Sequence, residues 1–119
     1  MKNLTKAEEQ IIQILWKLGK ANVKQVLAEM PEPKPAVTTV STIIRILETK
    51  GFVSHEAKGR GYVYFPVIKK EEYTQQSLHQ MINNYFDGSF KNLVSFFAKK
   101  EQLDMRELEE ILKELNKNQ

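Results

Sequence analysis

Apolar residues in the first twenty positions recur at helical spacing: Ile11, Ile12, Leu15, Trp16 and Leu18 fall on one face. The run is introduced by Thr5-Lys6-Ala7-Glu8, a capping box, with Leu4 placed to staple onto Ile11 or Ile12. Gly19, following Lys17, supplies the stop. A second capping box, Asn22-Val23-Lys24-Gln25, opens a shorter stripe of Val23, Val26, Leu27 and Met30, so a second helix is expected to run to about Met30. Pro31, Pro33 and Pro35 then forbid helix and impose an extended turn.

Residues 38–49, TTVSTIIRILET, pose a conflict. Thr38, Thr39, Val40, Thr42, Ile43 and Ile44 are β-branched, a bias that favours strand. Alternation fails, however, because both the odd and the even positions mix polar with apolar. A period of 3.6 sorts them: Val40, Ile43, Ile44 and Leu47 share a face, and Thr38, Ser41, Thr42, Arg45 and Thr49 lie opposite, with Thr39 and Ile46 at the border. The segment is therefore predicted helical, ended by Gly51 after Lys50. A solvated helix face normally carries Glu, Lys and Gln. This one carries small hydroxyls and one Arg. Threonine offers a hydroxyl and a methyl to base edges, and Arg suits guanine or phosphate; the bland reading is that the hydroxyls only cap and back-bond at the helix start.

Beyond Gly51, FVSHEAK and YVYFPV flank Gly59-Arg60-Gly61 and read as a β-hairpin that Pro66 ends. Lys69–Glu72 reads as an exposed joint. Three amphipathic stripes follow: Leu78, Met81, Ile82, Tyr85 and Phe86; then, after the Asp87-Gly88-Ser89 break, Phe90, Leu93, Val94 and Phe97 with Phe96 beside them; then, after the Asp104-x-x-Glu107 cap, Met105, Leu108, Ile111, Leu112 and Leu115.

The order helix, helix, proline turn, polar-faced helix and hairpin is that of a winged helix-turn-helix. Its third helix would lie in a DNA major groove, with Lys58 and Arg60 at a glycine-bearing wing tip. The expected fold is thus mainly α (α+β), with a winged-helix domain over residues 1–68 and a helical domain over 69–119. Charge sharpens the picture a little. Residues 1–68 hold ten Lys/Arg against six Asp/Glu, and residues 69–119 hold eight against nine. A basic first half suits an anionic partner, although plain solubility explains as much. The chain has no cysteine, which excludes disulfides and thiolate metal sites. No long apolar run suggests a membrane span, so a soluble, cytoplasmic protein is expected. His55 and His79 stand apart, no cluster has metal-ligand spacing, and no glycine loop resembles a nucleotide fingerprint. Glu8-Glu9 and Glu109-Glu110 read as solvated helix charge. No catalytic site, metal or cofactor is expected, and no enzyme.

With these elements in place, Thr39-Val40, Thr42, Leu47 and Lys50-Gly51, followed by Gly59-Arg60, Tyr64 and Pro66, resemble the paired motifs of the penicillinase-repressor family of winged helix-turn-helix transcriptional repressors. Trp16, ANVKQVLAEM and the helical tail extend the resemblance over nearly the whole chain. The resemblance implies a homodimeric repressor that binds a palindromic operator in double-stranded DNA. It would place Thr38, Thr39, Ser41, Thr42 and Arg45 on the recognition helix. Lys50 would follow that helix, Lys58 and Arg60 would sit on the wing, and Asn22 would lie near phosphate. Leu78, Met81, Ile82, Tyr85, Phe86, Leu93, Phe97, Leu108, Ile111, Leu112 and Leu115 would pair two subunits.

Such repressors are similar in being released by a regulatory protease at an Asn-Phe bond, for which Ser95–Phe96 stands here. Many members also carry Arg where Ile46 stands. Copper-sensing members use a C-terminal cysteine cluster, which this chain lacks. Other readings stay open: the tail could fold back on the winged helix or dock another partner, and the winged helix could serve protein contacts without sequence-specific DNA binding.

Overall fold

The computed structural model describes residues 3–101 and 104–117, with side chains over 3–100 and 104–114, so the expected contact of Leu115 lies outside the described residues. The elements are α1 (Lys6–Leu18), α2 (Val23–Ala28), α3 (Val37–Thr49), β1 (Val53–Lys58), β2 (Gly61–Pro66), α4 (Lys70–Tyr85), α5 (Phe90–Glu101) and α6 (Met105–Lys117). The molecule is mainly α, with one two-stranded antiparallel sheet. It divides into two compact units, Met1–Gln75 and Gln76–Gln119. Among the described residues no helix is long and apolar enough to cross a membrane.

Both N-terminal capping boxes form. Thr5 Oγ1 accepts from the Glu8 N–H at 3.2 Å while Glu8 Oε1 accepts from the Thr5 N–H at 2.9 Å. Asn22 and Gln25 exchange the same pair of bonds at 2.8 Å each. Gly19 closes α1 with φ 82°, its N–H donating to the Leu15 carbonyl. Leu4 packs against the core as the staple requires. In the α1 stripe Ile14 is buried while Leu18, the last residue of the helix, is 36% exposed. Helix α2 stops two residues earlier than its apolar period suggests. Glu29 and Met30 tighten into bonds three residues back, and Lys34 Nζ donates to the carbonyls of Leu27, Ala28 and Met30 at 3.2, 3.0 and 2.7 Å. That ammonium satisfies orphan carbonyls ahead of the proline turn.

The disputed segment is helix, from Val37 to Thr49. Val40, Ile44 and Leu47 are fully buried against Ile11, Ile12 and Leu15 of α1, Val26 of α2, and Phe52, Val53 and Tyr64. The nine β-branched residues of α3 cost about 4.5 kcal/mol of helix propensity at roughly 0.5 each. Burying the three core side chains returns about 6 kcal/mol at roughly 2 each. Packing decides, and β propensity loses.

β1 and β2 pair in the register Val53↔Pro66 through Lys58↔Gly61, leaving Gly59-Arg60 as a two-residue turn. Gly59 has φ 63°, and Arg60 is not among the residues with positive φ. A positive φ at the first central position only is the type II′ pattern, which suits a right-twisted hairpin. Ala21 bridges to Tyr64 by two backbone bonds of 3.0 and 2.8 Å, so the loop after α1 acts as a third strand. Lys69–Glu72, expected as a joint, is exposed but helical from Lys70, with Glu71 and Glu72 favourable in the first turn of α4. Next to Glu72, Tyr73 packs tilted against Trp16 and edge-on to Phe52 at centroid distances of 5.7 and 5.8 Å, and Trp16 Nε1 donates to the Ile68 carbonyl at 2.9 Å.

Glu8 is a correction to the reading of solvated charge. It is 4% exposed, and Lys50 Nζ lies 2.6 Å from its carboxylate while also donating to the Asn3 carbonyl. Burial by itself would raise this carboxyl. The Lys50 hydrogen bond, the Thr5 N–H and the Lys50 charge outweigh it and leave the pKa below its ordinary value.

In the second unit, Asp87 and Gly88 take positive φ (54° and 74°), and Ser89 Oγ accepts from the Asn92 N–H at 3.1 Å to open α5. Asp104 Oδ1 accepts from the Glu107 N–H at 2.8 Å to open α6. Phe86 and Phe96 meet at 5.6 Å.

The lowered Glu8 pKa fixes the sign of a pH effect. Its stabilisation is present above the unfolded carboxylate pKa, about 4.3, and is lost as pH falls through the lowered folded value. Glu8→Gln is expected to cost about 2 kcal/mol at pH 7 and to flatten the loss of stability below pH 5, followed by Trp16 fluorescence in urea. An acid profile equal to that of the wild type would exclude this pair as its source.

Candidate nucleic-acid interface

The buried face of α3 fixes what its other face presents. Thr38, Thr39, Thr42, Arg45 and Thr49 are exposed and Ser41 is half-buried. Ile46, assigned to the border by the sequence, is 39% exposed. On a helical wheel it lies about 40° from Thr42, on the flank of the outer face away from Thr38. The threonines are partly self-engaged. Thr42 Oγ1 donates to the Thr38 carbonyl at 2.9 Å and Thr49 Oγ1 to the Arg45 carbonyl at 3.0 Å. The bland reading of back-bonding hydroxyls therefore holds for these two, while their methyls remain on the outer face.

Beside this face is a concave pocket of about 460 Å³, lined by Asn22, Val23 and Lys24 of the α2 start, Val37, Ser41 and Arg45 of α3, and Tyr62 and Tyr64 of β2. It brings together Asn22, Ser41 and Arg45, three residues singled out by the sequence. It adds Lys24 and Tyr62, which the sequence reading missed. Tyr62 is 54% exposed although aromatic, on the strand leaving the wing turn. The available signal was its alternation with Tyr64, which is buried: in a half-buried strand, two residues apart means the same face, so one of the pair had to reach the rim.

Charge on this side is uncompensated. The ion pairs among the described residues are Lys17–Glu29, Lys20–Glu56, Lys50–Glu8 and His55–Glu48. Lys24, Arg45, Lys58 and Arg60 are in none of them, and Lys58 and Arg60 are exposed at the wing tip. Lys50 stands apart from this group, its ammonium taken by the buried Glu8. Lys20 straps the wing, paired with Glu56 at 2.8 Å and 5.4 Å from the centroid of Phe65. His55 is more engaged than a plain surface residue: its Nδ1 lies 2.5 Å from Glu48 Oε2, and its ring meets Tyr62 edge-on at 4.9 Å. No group of three or more His, Asp or Glu residues among those described could hold a metal ion.

The profile of the family described as the penicillinase repressor matches residues 4–117. The chain belongs to the penicillinase-repressor family. Members are DNA-binding transcriptional repressors and not enzymes. This repressor is similar to the penicillinase repressor of Bacillus licheniformis, with 27% identity over 91% of this chain and 85% of that protein. It is equally similar to the methicillin resistance regulatory protein MecI of Staphylococcus aureus (strain N315), with 27% identity over 96% of this chain and 94% of the relative. Among solved structures it is similar to one described as a CopR repressor structure, 33% identical, with a TM-score of 0.48 over 57% of this chain and all of that one.

Lys24, in none of the ion pairs among the described residues, lines this pocket, and a phosphate seated there would meet its ammonium. Lys24→Ala is expected to weaken duplex binding about evenly across sequences and to lower the log–log salt slope by about 0.9. Titrations between about 50 and 200 mM salt measure this, and an unaltered slope would remove Lys24 from the interface.

Proposed function

We propose that this repressor acts as a homodimer on a palindromic operator, each winged helix reading one half-site. The observation that carries the reading is the outer face of α3: hydroxyls and Arg45, held outward by a fully buried opposite face and flanked by uncompensated cations. In this reading Thr38, Thr39, Ser41, Thr42 and Arg45 face base edges and their flanking phosphates in the major groove. Arg60 and Lys58 reach backbone or minor groove from the wing, and Asn22, Lys24 and Tyr62 meet phosphate at the pocket. Lys50 contributes by holding the end of α3 to Glu8, not by contacting DNA.

The tail supports the dimer. Among the described residues, ten of the fifteen exposed large hydrophobics lie between positions 78 and 112, far more apolar surface than a solvated helical region needs. Leu78, Met81, Tyr85, Phe97, Ile111 and Leu112 are among them, with Leu93 and Leu108 half-buried. Phe90, Leu93, Val94 and Phe97 of α5 face Met105, Leu108, Ile111 and Leu112 of α6 across an apolar groove of about 560 Å³. Ile82 is already buried and Phe86 is half-buried, so these two offer little surface to a second subunit. A self-complementary patch of this kind closes as a two-fold dimer, and it would space two recognition helices about 34 Å apart, one DNA turn.

Proteolytic relief is part of the same proposal. Ser95 and Phe96 are exposed on α5, between the groove residues Val94 and Phe97, so a cut there would split the pairing surface. The bond lies within a helix, and local unwinding must precede cleavage. Mass spectrometry of the chain recovered from induced cells tests the site; an intact Ser95–Phe96 bond in fully derepressed cells would remove this element.

Two outcomes test the rest. On an operator selected from random duplexes, Arg60→Ala and Thr42→Ala should each lower affinity by roughly fivefold or more; unchanged affinity for both would reject these contacts. A steep salt dependence separates DNA binding from a winged helix devoted to protein contacts. For the dimer, Leu112→Glu should convert a dimer mass into a monomer mass in sedimentation. A wild type that stays monomeric at micromolar concentration would reject the homodimer.

A further inference from the structure

We infer that Ile46 is a specificity-determining residue that reads the C5-methyl group of a thymine. The inference rests on the proposed seating of α3 in the major groove.

Three observations carry it. First, Ile46 is 39% exposed in the middle of a helix whose core residues Val40, Ile44 and Leu47 have no exposure; of the other apolar residues of α3, Ile43 is half-buried and Val37, exposed in the first turn, lines the pocket beside Asn22 instead. Exposing an isoleucine in mid-helix gains nothing for the fold, since its β-branch lowers helix propensity. Second, it stands among groups that suit bases. It lies one residue from Arg45 and four from Thr42, with Thr49 a turn further on, so it belongs to the same exposed strip as the proposed readers. Third, its side chain is purely apolar, in a strip where every other member can form a hydrogen bond. In a major groove the only apolar feature on a base edge is the thymine methyl, and an aliphatic side chain there can recognise that methyl and little else. Arg45 and Ile46 then divide the work of one helical turn, the guanidinium suiting guanine or phosphate and the isoleucine an adjacent thymine.

Deoxyuridine provides the test, because it lacks only the methyl and keeps every hydrogen-bonding group of thymine. Each thymine of a selected operator is replaced in turn, and affinity is measured for the wild type, Ile46→Ala, Ile46→Val and Thr42→Ala. One position per half-site should weaken the wild type about fourfold for each methyl removed. Ile46→Ala should bind the thymine duplex several-fold more weakly and be indifferent to deoxyuridine at that same position, with Ile46→Val intermediate. If all replacements act additively with Ile46→Ala, or couple to Thr42→Ala instead, the inference is overturned while the seating of α3 survives. If no duplex is selected at all, both fall together. The wild-type deoxyuridine scan needs no variant to fold, and sensitivity at no thymine would overturn the inference by itself.

Discussion

The interface depends on one act of burial: Val40, Ile44 and Leu47 sinking into a core made by α1, α2 and the base of the wing. Without it, α3 has a sequence that prefers strand. With it, a stiff, β-branched helix is held by packing alone, and every residue not consumed in packing is aimed outward. The hydroxyl-rich face is thus the complement of the core, and moving either would move both. The Glu8–Lys50 pair joins the first turn of α1 to the residue that follows α3. The Ala21–Tyr64 bridge performs the same service between the α1–α2 loop and the wing.

Much of this was legible in the sequence because it rests on local rules. Capping boxes at Thr5 and Asn22, helical periodicity at Val40–Leu47 and a two-residue glycine turn at Gly59-Arg60 are all short-range patterns, and each formed. What was not legible depends on chain segments far apart. Glu8 looked solvated because Lys50 is 42 residues away, and it is burial against the rest of the fold that makes their pairing matter. Tyr62 and Lys24 were missed because the pocket that unites them exists only once β2 lies beside α3 and the α2 start. Ile46 was placed at the border because wheel position alone does not say where the neighbouring helices stop covering.

The two units obey different physics. The first buries its apolar residues and exposes polar ones, as a self-sufficient small domain does. The second leaves phenylalanines, leucines, an isoleucine and methionines at its surface, around a groove between α5 and α6. A 44-residue unit has little interior to bury side chains in, and below about 40 residues independent stability usually needs reinforcement. In the proposed dimer, association would supply that reinforcement and couple folding of the tail to concentration.

The back-bond at Thr42 has a consequence for what α3, in the proposed interface, can say to a base. A threonine hydroxyl has a single proton, and here that proton is given to the Thr38 carbonyl. While it stays there, Thr42 shows the groove two lone pairs and a methyl, and nothing to donate. In the proposed interface it is an acceptor, fit to meet the exocyclic amines of adenine or cytosine and unfit to meet the carbonyl oxygens of guanine or thymine. A hydrogen bond made within the helix, long before any DNA arrives, thereby narrows the alphabet available at that position.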